Sequence, residues 1–262
     1  MTTAVINYAA RTDFRPRYYA NDHSRDTVLI DGQPMAITDG RTVETDLDAA
    51  GFKLVPHLSQ VSDFQDREAV AALHPQEIMD LLRAETGADA VFCTSPGILR
   101  FGEKSKLAGR LNNSMPARFA HIDISTETAA AFAMGGTPEG KTVRRYAHFN
   151  VWRAFSQPPQ DVPLAVCDAR TVAPEDLILA DAVFDDPEKP EWSFESYVIA
   201  HNPAHRWHWF SNMTRDEAII FKTSDSQFCN PIPHVAFDNP AAPADVAPRS
   251  SIEMRAIAFW FD

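Results

Sequence analysis

Residues 143–184 read VRRYAHFNVWRAFSQPPQDVPLAVCDARTVAPEDLILADAVF, and this stretch decides the fold class. Three segments of strand-like composition (143–155, 163–169 and 177–184) alternate with turns that contain Pro and Asp. Further candidate strands follow the same pattern at 117–125, 196–202, 206–212, 217–225, 233–237 and 251–261. About nine short strands separated by turn signals predict a barrel, a jelly roll or a sandwich.

Toward the N-terminus the sequence carries both strand and helix signals. Residues 1–60 alternate short β-like stretches with Gly turns, and 62–87 has the apolar spacing of a helix. Ser62 or Asp63 is the expected N-cap of that helix and Gly87 its C-cap. A buried strand is expected at 88–95. Because helix signals occur only on this side, we predict one β-barrel-like domain with an N-terminal α/β extension.

Composition excludes several classes of function. The chain has 262 residues and a formal net charge of −12, which argues against nucleic-acid or anionic-membrane partners. All ten glycines lie at or before Gly140, and no phosphate-binding Gly-rich motif is present. Three widely spaced cysteines without a CxxC pair are expected to serve packing in a reducing, cytoplasmic compartment. The start of the sequence has no apolar leader, and no apolar run reaches membrane-spanning length.

The strongest chemical signal is the sequence His121-Ile122-Asp123 inside an apolar strand. Residues i and i+2 of a strand point to the same face, so His121 and Asp123 project together. His234 begins another short strand, which a jelly roll can place alongside the first. Two imidazoles and one carboxylate on one face are typical of non-haem Fe(II) oxygenases. The alternative for His121 and Asp123 is an ordinary hydrogen-bonded pair.

A second signal follows His234, after a Pro-rich loop. Arg249, Ser251 and Arg255 share one face of the last strand by period two. An arginine fork with a neighbouring serine hydroxyl suits the distal carboxylate of 2-oxoglutarate. Either Arg249 or Arg255 can supply the fork. The other reading of both residues is a salt bridge with Glu253.

Other polar residues support an anionic ligand less directly. Asn150 lies on a polar-aromatic face of the strand 143–155 and is a candidate hydrogen-bond donor to the 2-oxo acid or the substrate. Lys222 either pairs with Asp225 or reaches an anionic ligand. The basic loop 96–115, which contains Arg100, indicates a carboxylate substrate or only a solvated, charged surface.

Taken in order along the chain, these segments resemble the Fe(II)/2-oxoglutarate-dependent oxygenases that include gibberellin-desaturase-like fungal proteins, a subunit associated with cephem 7α-methoxylation, and meroterpenoid-modifying oxygenases. The resemblance rests on RYYAND (17–22), LDAAGFKLVPHLSQVSDFQD (47–66), PARFAHIDIS (116–125), NVWRAF (150–155), DVPLAVCDAR (161–170), FKTSDS (221–226), PHVAFDNP (233–240) and PRSSIEMR (248–255). Members of the family usually show Arg-Glu-Ser where this chain has Arg-Ser-Ser.

The resemblance implies a double-stranded β-helix (jelly-roll) core at 116–262, with residues 1–115 as extension and lid, in one oxygenase domain. It implies His121, Asp123 and His234 as iron ligands and an arginine of 248–255 for the cosubstrate. The implied activity is Fe(II)-, O2- and 2-oxoglutarate-dependent hydroxylation or desaturation of a small metabolite, releasing succinate and CO2. Two alternatives remain: a non-oxidative cupin-like metal-binding module, and an iron oxygenase that uses no 2-oxo acid. The sequence leaves the substrate and the choice between monomer and homo-oligomer open.

Overall fold

A computed structural model of the chain describes residues 1–228 and 231–262. Within these ranges there are fifteen strands and two α-helices. The strands are β1 (Thr2–Ala9), β2 (Arg17–Tyr19), β3 (Ile30–Asp39), β4 (Phe52–Pro56), β5 (Ala90–Cys93), β6 (Ile98–Phe101), β7 (His121–Ile122), β8 (Val143–Ala154), β9 (Leu164–Cys167), β10 (Leu177–Phe184), β11 (Trp192–Ile199), β12 (Trp207–Trp209), β13 (Glu217–Asp225), β14 (His234–Ala236) and β15 (Ser250–Phe261). The helices are α1 (Arg67–Thr86) and α2 (Thr126–Gly136). The prediction of a mainly β fold is confirmed.

The strands form two sheets. One has nine strands in the order β1-β3-β12-β9-β14-β7-β11-β10-β2, and the other has six, in the order β4-β13-β8-β15-β5 with β6 also paired to β15. The long antiparallel pair of β8 and β15 runs through the middle of the six-stranded sheet. This pair matters for function because one face of both strands packs against α1 and the other faces the space between the sheets.

One face of β8 and β15 packs against α1, where Phe149, Val151 and Met254 join Ile78 and Leu82 in an apolar cluster. The alternate residues of both strands point away from the helix, as the period of two requires. These are Asn150 and Trp152 on β8 and Glu253 and Arg255 on β15, and they face the space between the sheets. The polar-aromatic face of 143–155 is therefore turned inward rather than toward solvent.

Helix α1 begins later than the sequence suggested. Asp66 is the N-cap, and its carboxylate accepts hydrogen bonds from the backbone amides of Glu68 and Ala69. Asp63 instead stabilises the preceding turn by accepting from the Gln65 amide. The expected cap at Ser62 or Asp63 was therefore wrong, whereas Gly87 does end the helix, in the left-handed conformation at φ 66°.

Helix α2 was not expected, because helix signals were assigned only to the N-terminal side. Ser125 caps it by accepting from the Thr128 amide, and the alanine-rich turns pack Ala133 against Ile257 and Phe259. The strand predicted at 117–125 shortens to β7 as a result. The available signal was a serine N-cap followed by Thr-Glu and a run of alanines.

The first 115 residues extend both sheets. Strand β3 pairs in parallel with β12, β4 pairs with β13, and β5 and β6 pair with β15. The strand expected at 88–95 is present as β5, but it lies at a sheet edge and is only partly buried, with Val91 buried and Phe92 43% exposed. The single-domain assignment with a boundary between 115 and 116 stays a prediction.

Two of the three cysteines have described surroundings. Cys167 lies in the apolar core beneath the nine-stranded sheet, and Cys93 packs against the α1 cluster. Both are free thiols, and burial raises the pKa of Cys93 to about 11. Their role is packing, as expected. Cys229 lies outside the described residues.

Candidate metal centre

The nine-stranded sheet brings His121 and His234 side by side. They are register partners on the antiparallel strands β7 and β14, and their ring centroids are 4.2 Å apart. Directly opposed residues project from the same face of a sheet, which accounts for the proximity of two histidines separated by more than a hundred positions. Asp123 follows β7 and turns its carboxylate toward both rings.

The three side chains form a compact donor set. His121 Nε2 lies 3.8 Å from Asp123 Oδ1, and His234 Nε2 lies 3.9 Å from Asp123 Oδ2. All three residues are buried, and one potential ligand atom from each lies within 4.8 Å of the others. In the described part of the chain this is the one group of three or more His, Cys, Asp or Glu side chains with such a geometry.

Both imidazoles have the protonation state that a metal requires. His121 Nδ1 lies 2.9 Å from the Phe119 carbonyl oxygen, so Nδ1 carries the proton and the lone pair of Nε2 faces the centre. Burial, followed by the charge of His234, lowers the pKa of His121 to about 3. Burial lowers the pKa of His234 to about 4. The neutral imidazoles fit a divalent cation.

The Asp123 carboxylate is held from two sides. Arg255 Nη2 donates to Oδ1 at 2.7 Å, and Asn150 Nδ2 donates to Oδ2 at 2.6 Å. Burial alone would raise the pKa of Asp123, but the charge of Arg255 and then those of the two histidines hold it well below the usual range. Since each carboxylate oxygen has a second lone pair, the residue stays able to bind a metal.

The two candidate arginines, Arg249 just before β15 and Arg255 within it, have different surroundings. Arg255 is committed to Asp123 and to Glu253, whose Oε1 lies 3.0 Å from Arg255 Nε. Arg249 is only 1% exposed, and its Nε and Nη2 have no hydrogen-bond partner among the described residues. Burial lowers the pKa of Arg249 to about 9. A buried cation without a counter-ion is costly, so this position is suited to an anion.

Arg249 lines a small cavity between the sheets, as do Arg100 and Arg255. His121, His234, Trp152, Glu253 and other residues line the same cavity. The Arg249 guanidinium also lies 5.7 Å from the centroid of the Trp152 ring. Nε and Nη2 form the edge of a guanidinium that binds a carboxylate in a bidentate fork. Geometry therefore favours Arg249 over Arg255 as the free fork, a choice that the sequence left open.

The other two predicted cosubstrate residues already have partners. The Ser251 hydroxyl donates to the Arg100 carbonyl oxygen, 3.3 Å away, and the Asn150 amide is bonded to Asp123. Sequence reasoning also missed two aromatic contacts of the donor set. The ring centroids of Phe221 and His234 are 4.8 Å apart, and those of Tyr18 and His121 are 6.3 Å apart in a T-shaped arrangement. Period two places Phe221 on an apolar face of β13, which carries no separate functional signal.

A large cavity of about 900 Å³ opens beside Asp123 and Arg255. Its walls are mostly apolar and come from both sheets, from α2 and from the loop that contains Asn112 and Asn113. The aromatic part of the wall consists of Phe64, Phe132, Phe149, Phe184, Trp192 and Phe194. Such a space suits a bulky apolar molecule placed next to the donor set.

Comparison with known proteins identifies the family. A family model described as "Oxidoreductase/YMDC permease-like domain" matches residues 6–259. The chain is 31% identical over 225 residues to the Fe(II)/2-oxoglutarate-dependent dioxygenase nvfI of Aspergillus novofumigatus, covering 82% of this chain and 78% of that protein. The chain belongs to the Fe(II)/2-oxoglutarate-dependent dioxygenases. Fe(II), 2-oxoglutarate and O2 are therefore the cofactor and cosubstrates that the dioxygenase requires.

Further comparisons agree with the assignment. The dioxygenase is 29% identical to the hydroxylase/desaturase efuI of Hormonema carpetanum, over 88% of this chain and 84% of that protein. A solved structure of the iron and alpha-ketoglutarate-dependent endoperoxidase NvfI superposes with a TM-score of 0.84 at 25% identity, covering all of this chain and 98% of that one. The expected jelly-roll fold and oxygenase class are confirmed. Despite the "permease-like" wording, no helix in the described ranges is long and apolar enough to span a membrane.

Proposed function

We propose that the dioxygenase binds Fe(II) through His121, Asp123 and His234, anchors 2-oxoglutarate on Arg249, and oxidises a C–H bond of an apolar small molecule in the large cavity. The observation that carries this proposal is the Arg249 guanidinium, buried beside both histidines with its carboxylate-binding edge unpaired. A non-oxidative metal module has no need for that cation. An iron oxygenase without a 2-oxo acid has no need for it either.

Each side chain has a separate task in this proposal. The bound metal, together with 2-oxoglutarate and O2, supplies the oxidant that removes hydrogen from an unactivated carbon, with succinate and CO2 as co-products. His121 and His234 present neutral Nε2 atoms, and Asp123 presents its charge. Arg249 fixes the distal carboxylate of the cosubstrate by a bidentate fork.

Arg255 and Asn150 act on Asp123 in this proposal. One hydrogen bond to each carboxylate oxygen fixes the plane of the carboxylate and keeps it ionised. Ligand-orienting contacts of this kind contribute to metal affinity and geometry. Ser251 ties β15 to β6 through the Arg100 carbonyl and so supports the strand that carries the arginine fork.

The apolar walls exclude water from the reacting carbon and position the substrate. Relatives named as hydroxylases, desaturases and an endoperoxidase support oxidation of a small secondary metabolite. The absence of nucleic-acid and membrane partners and a cytoplasmic location stay predictions from the composition. The oligomeric state stays open.

Succinate release tests the proposal. Purified protein supplied with Fe(II), ascorbate and 2-oxoglutarate should form succinate slowly even without substrate, and His121→Ala should abolish it. Binding is checked separately, by the charge-transfer absorption that Fe(II) and 2-oxoglutarate give together in the absence of O2. Full succinate formation by His121→Ala would contradict the ligand assignment. Normal metal binding without the charge-transfer band would contradict the cosubstrate assignment.

A further inference from the structure

A second cavity, of about 360 Å³, lies on the other side of the donor set. Tyr18, Arg100 and Asn113 line it together with His121 and Asp123. We propose that Arg100 binds a carboxylate of the substrate in this cavity, so that the substrate is a carboxylic acid with a bulky apolar body. This inference rests on the proposed function, because it assigns the metal and the cosubstrate to the residues given above.

Arg100 is held in place by one nitrogen only. Its Nη1 donates to Asn113 Oδ1 at 3.1 Å and to the Met115 carbonyl oxygen. Nε and Nη2 have no hydrogen-bond partner among the described residues, and these two atoms form the bidentate edge. The side chain is thus oriented in advance, with a free fork.

Arg100 differs from the other arginines that line the second cavity. Arg118 pairs with Glu103 and Asp238, and Arg255 pairs with Asp123 and Glu253. Within residues 1–228 and 231–262, no carboxylate lies within 4.0 Å of the Arg100 guanidinium. Burial lowers the pKa of Arg100, whereas the charge of Glu253 raises it, that of Arg255 lowers it and that of Asp123 raises it. A bound anion would offset the effects of burial and of Arg255.

Arg100 also lines the small cavity of Arg249, but the proposed function assigns neither carboxylate of 2-oxoglutarate to it. In the proposed function the metal and Arg249 take the two carboxylates of 2-oxoglutarate. This leaves one guanidinium, half-buried beside the donor set, without a counter-ion. A single carboxylate on the substrate fits that remaining charge.

The 900 Å³ and 360 Å³ cavities meet at the donor set. Asn113, Asp123, Phe184, Phe194 and Arg255 line both of them. A ligand can therefore place its carboxylate at Arg100 and its apolar body in the 900 Å³ cavity. The carbon between the two parts then lies beside Asp123, so the oxidised C–H bond is expected near the carboxylate end of the substrate.

The test uses a fluorescent acid and its matched alcohol. Protein loaded with Mn(II) and 2-oxoglutarate is titrated with 1-pyrenebutyrate and with 1-pyrenebutanol, which differ in the carboxylate but share the apolar body. Wild-type protein should bind the acid at least about tenfold more tightly, since a bidentate charged contact is added. Arg100→Gln should lower the affinity for the acid until it equals that for the alcohol, and Arg100→Lys should keep part of the preference for the acid. Lys106→Gln, an exposed cation of the same loop, is the control and should change neither affinity.

Two results would overturn the inference. Equal binding of acid and alcohol by wild-type protein would exclude a carboxylate site, whatever the variants do. Loss of 2-oxoglutarate affinity in Arg100→Gln, with the acid preference intact, would move Arg100 to the cosubstrate. Succinate formation by the same variants, loaded with Fe(II) instead of Mn(II), separates the two hypotheses. If wild-type protein forms succinate normally but does not prefer the acid to the alcohol, only this inference fails. If the preference for the acid depends on Arg100 but 2-oxoglutarate does not bind, only the proposed function fails.

Discussion

Arg255 Nη2 lies 2.7 Å from Asp123 Oδ1, a contact between residues 132 positions apart that ties the last strand to the donor set. The same guanidinium binds Glu253 through Nε. Since Asn150 holds the other oxygen of Asp123, the carboxylate is fixed at both ends by strands of the opposite sheet. The metal-binding geometry of the nine-stranded sheet thus depends on the six-stranded one.

This contact predicts the effect of replacing Arg255. Arg255→Gln should weaken Mn(II) binding by roughly 10–100-fold, because a residue that orients a metal ligand is lost. Arg255→Lys should restore part of the affinity. Calorimetric titration with Mn(II) measures both. Arg67→Gln serves as control, since Arg67 lines the same large cavity and is exposed. Unchanged metal affinity in Arg255→Gln would leave Arg255 available for the cosubstrate instead.

The donor set predicts a specific loss of metal. His121→Ala and His234→Ala should each lower Mn(II) affinity by on the order of 100-fold or more while the far-ultraviolet circular dichroism stays unchanged. His208→Gln is the matched control, because His208 is also buried and has an unpartnered Nδ1 but lies outside the donor set. The assignment fails if the control loses as much metal as the two triad variants.

Replacing Arg249 should separate cosubstrate binding from stability. Arg249→Met is expected to raise the KM for 2-oxoglutarate by on the order of 100-fold, because a bidentate charged contact is lost. The same change should stabilise the ligand-free protein by about 1–3 kcal/mol, because it removes a buried cation without a partner. Turnover and thermal unfolding measure the two effects. If Arg249→Met lowers the Tm and leaves 2-oxoglutarate binding unchanged, Arg249 is only structural.

A buried ion pair away from the site predicts a stability effect. Lys222 Nζ lies 2.8 Å from Asp225 Oδ2, and the Asp225 side chain is only 1% exposed. The Lys222–Asp225 alternative from the sequence is therefore the one found. Asp225→Asn should cost about 3–5 kcal/mol, because it leaves Lys222 buried without its counter-charge. Asp48→Asn is the control, since Asp48 also lies near Lys222 but is 72% exposed, and it should cost less than about 1 kcal/mol. Urea unfolding at neutral pH measures both.

The same pair predicts a pH dependence. Burial alone would raise the pKa of Asp225, but hydrogen bonds from Arg145 and Lys222 outweigh burial and lower it from 3.8. A lowered folded-state pKa contributes stability above the unfolded value, and that stability is lost as the pH falls through the folded value. The difference in unfolding free energy between wild type and Asp225→Asn should therefore shrink below about pH 3.8. A constant difference down to pH 2 would contradict this.

Local sequence patterns predicted the long strands and the candidate site residues of this protein. Strand-like composition between Pro and Asp turn signals located the long strands β8, β10, β13 and β15. The sequences His121-Ile122-Asp123 and PHVAF identified the candidate donor set, and the spacing of Arg249, Ser251 and Arg255 identified the candidate cosubstrate face. These predictions depend on local composition and on which residues lie two positions apart.

The start of α1 and the presence of α2 could not be predicted from local sequence patterns. The N-cap of α1 is Asp66 rather than Ser62 or Asp63 because all three are good caps and the preceding turn selects among them. Helix α2 was missed because its cap directly follows an apolar strand pattern, without a Gly or Pro break. Sequence pattern alone ranks such competing local choices poorly, since tertiary contacts decide between them.

The sequence by itself determined the fold class, the set of candidate ligands and the two arginines available to an anion. Only the tertiary structure decided their separate tasks, because Arg249, just before β15, and Arg255, within it, have different neighbours, and Arg255 also pairs with Glu253 of its own strand. Asp123 reaches Arg255 across the interior, whereas nothing anionic in the described chain reaches the free edge of Arg249. Contacts between residues more than a hundred positions apart fix this difference, and no local spacing records them.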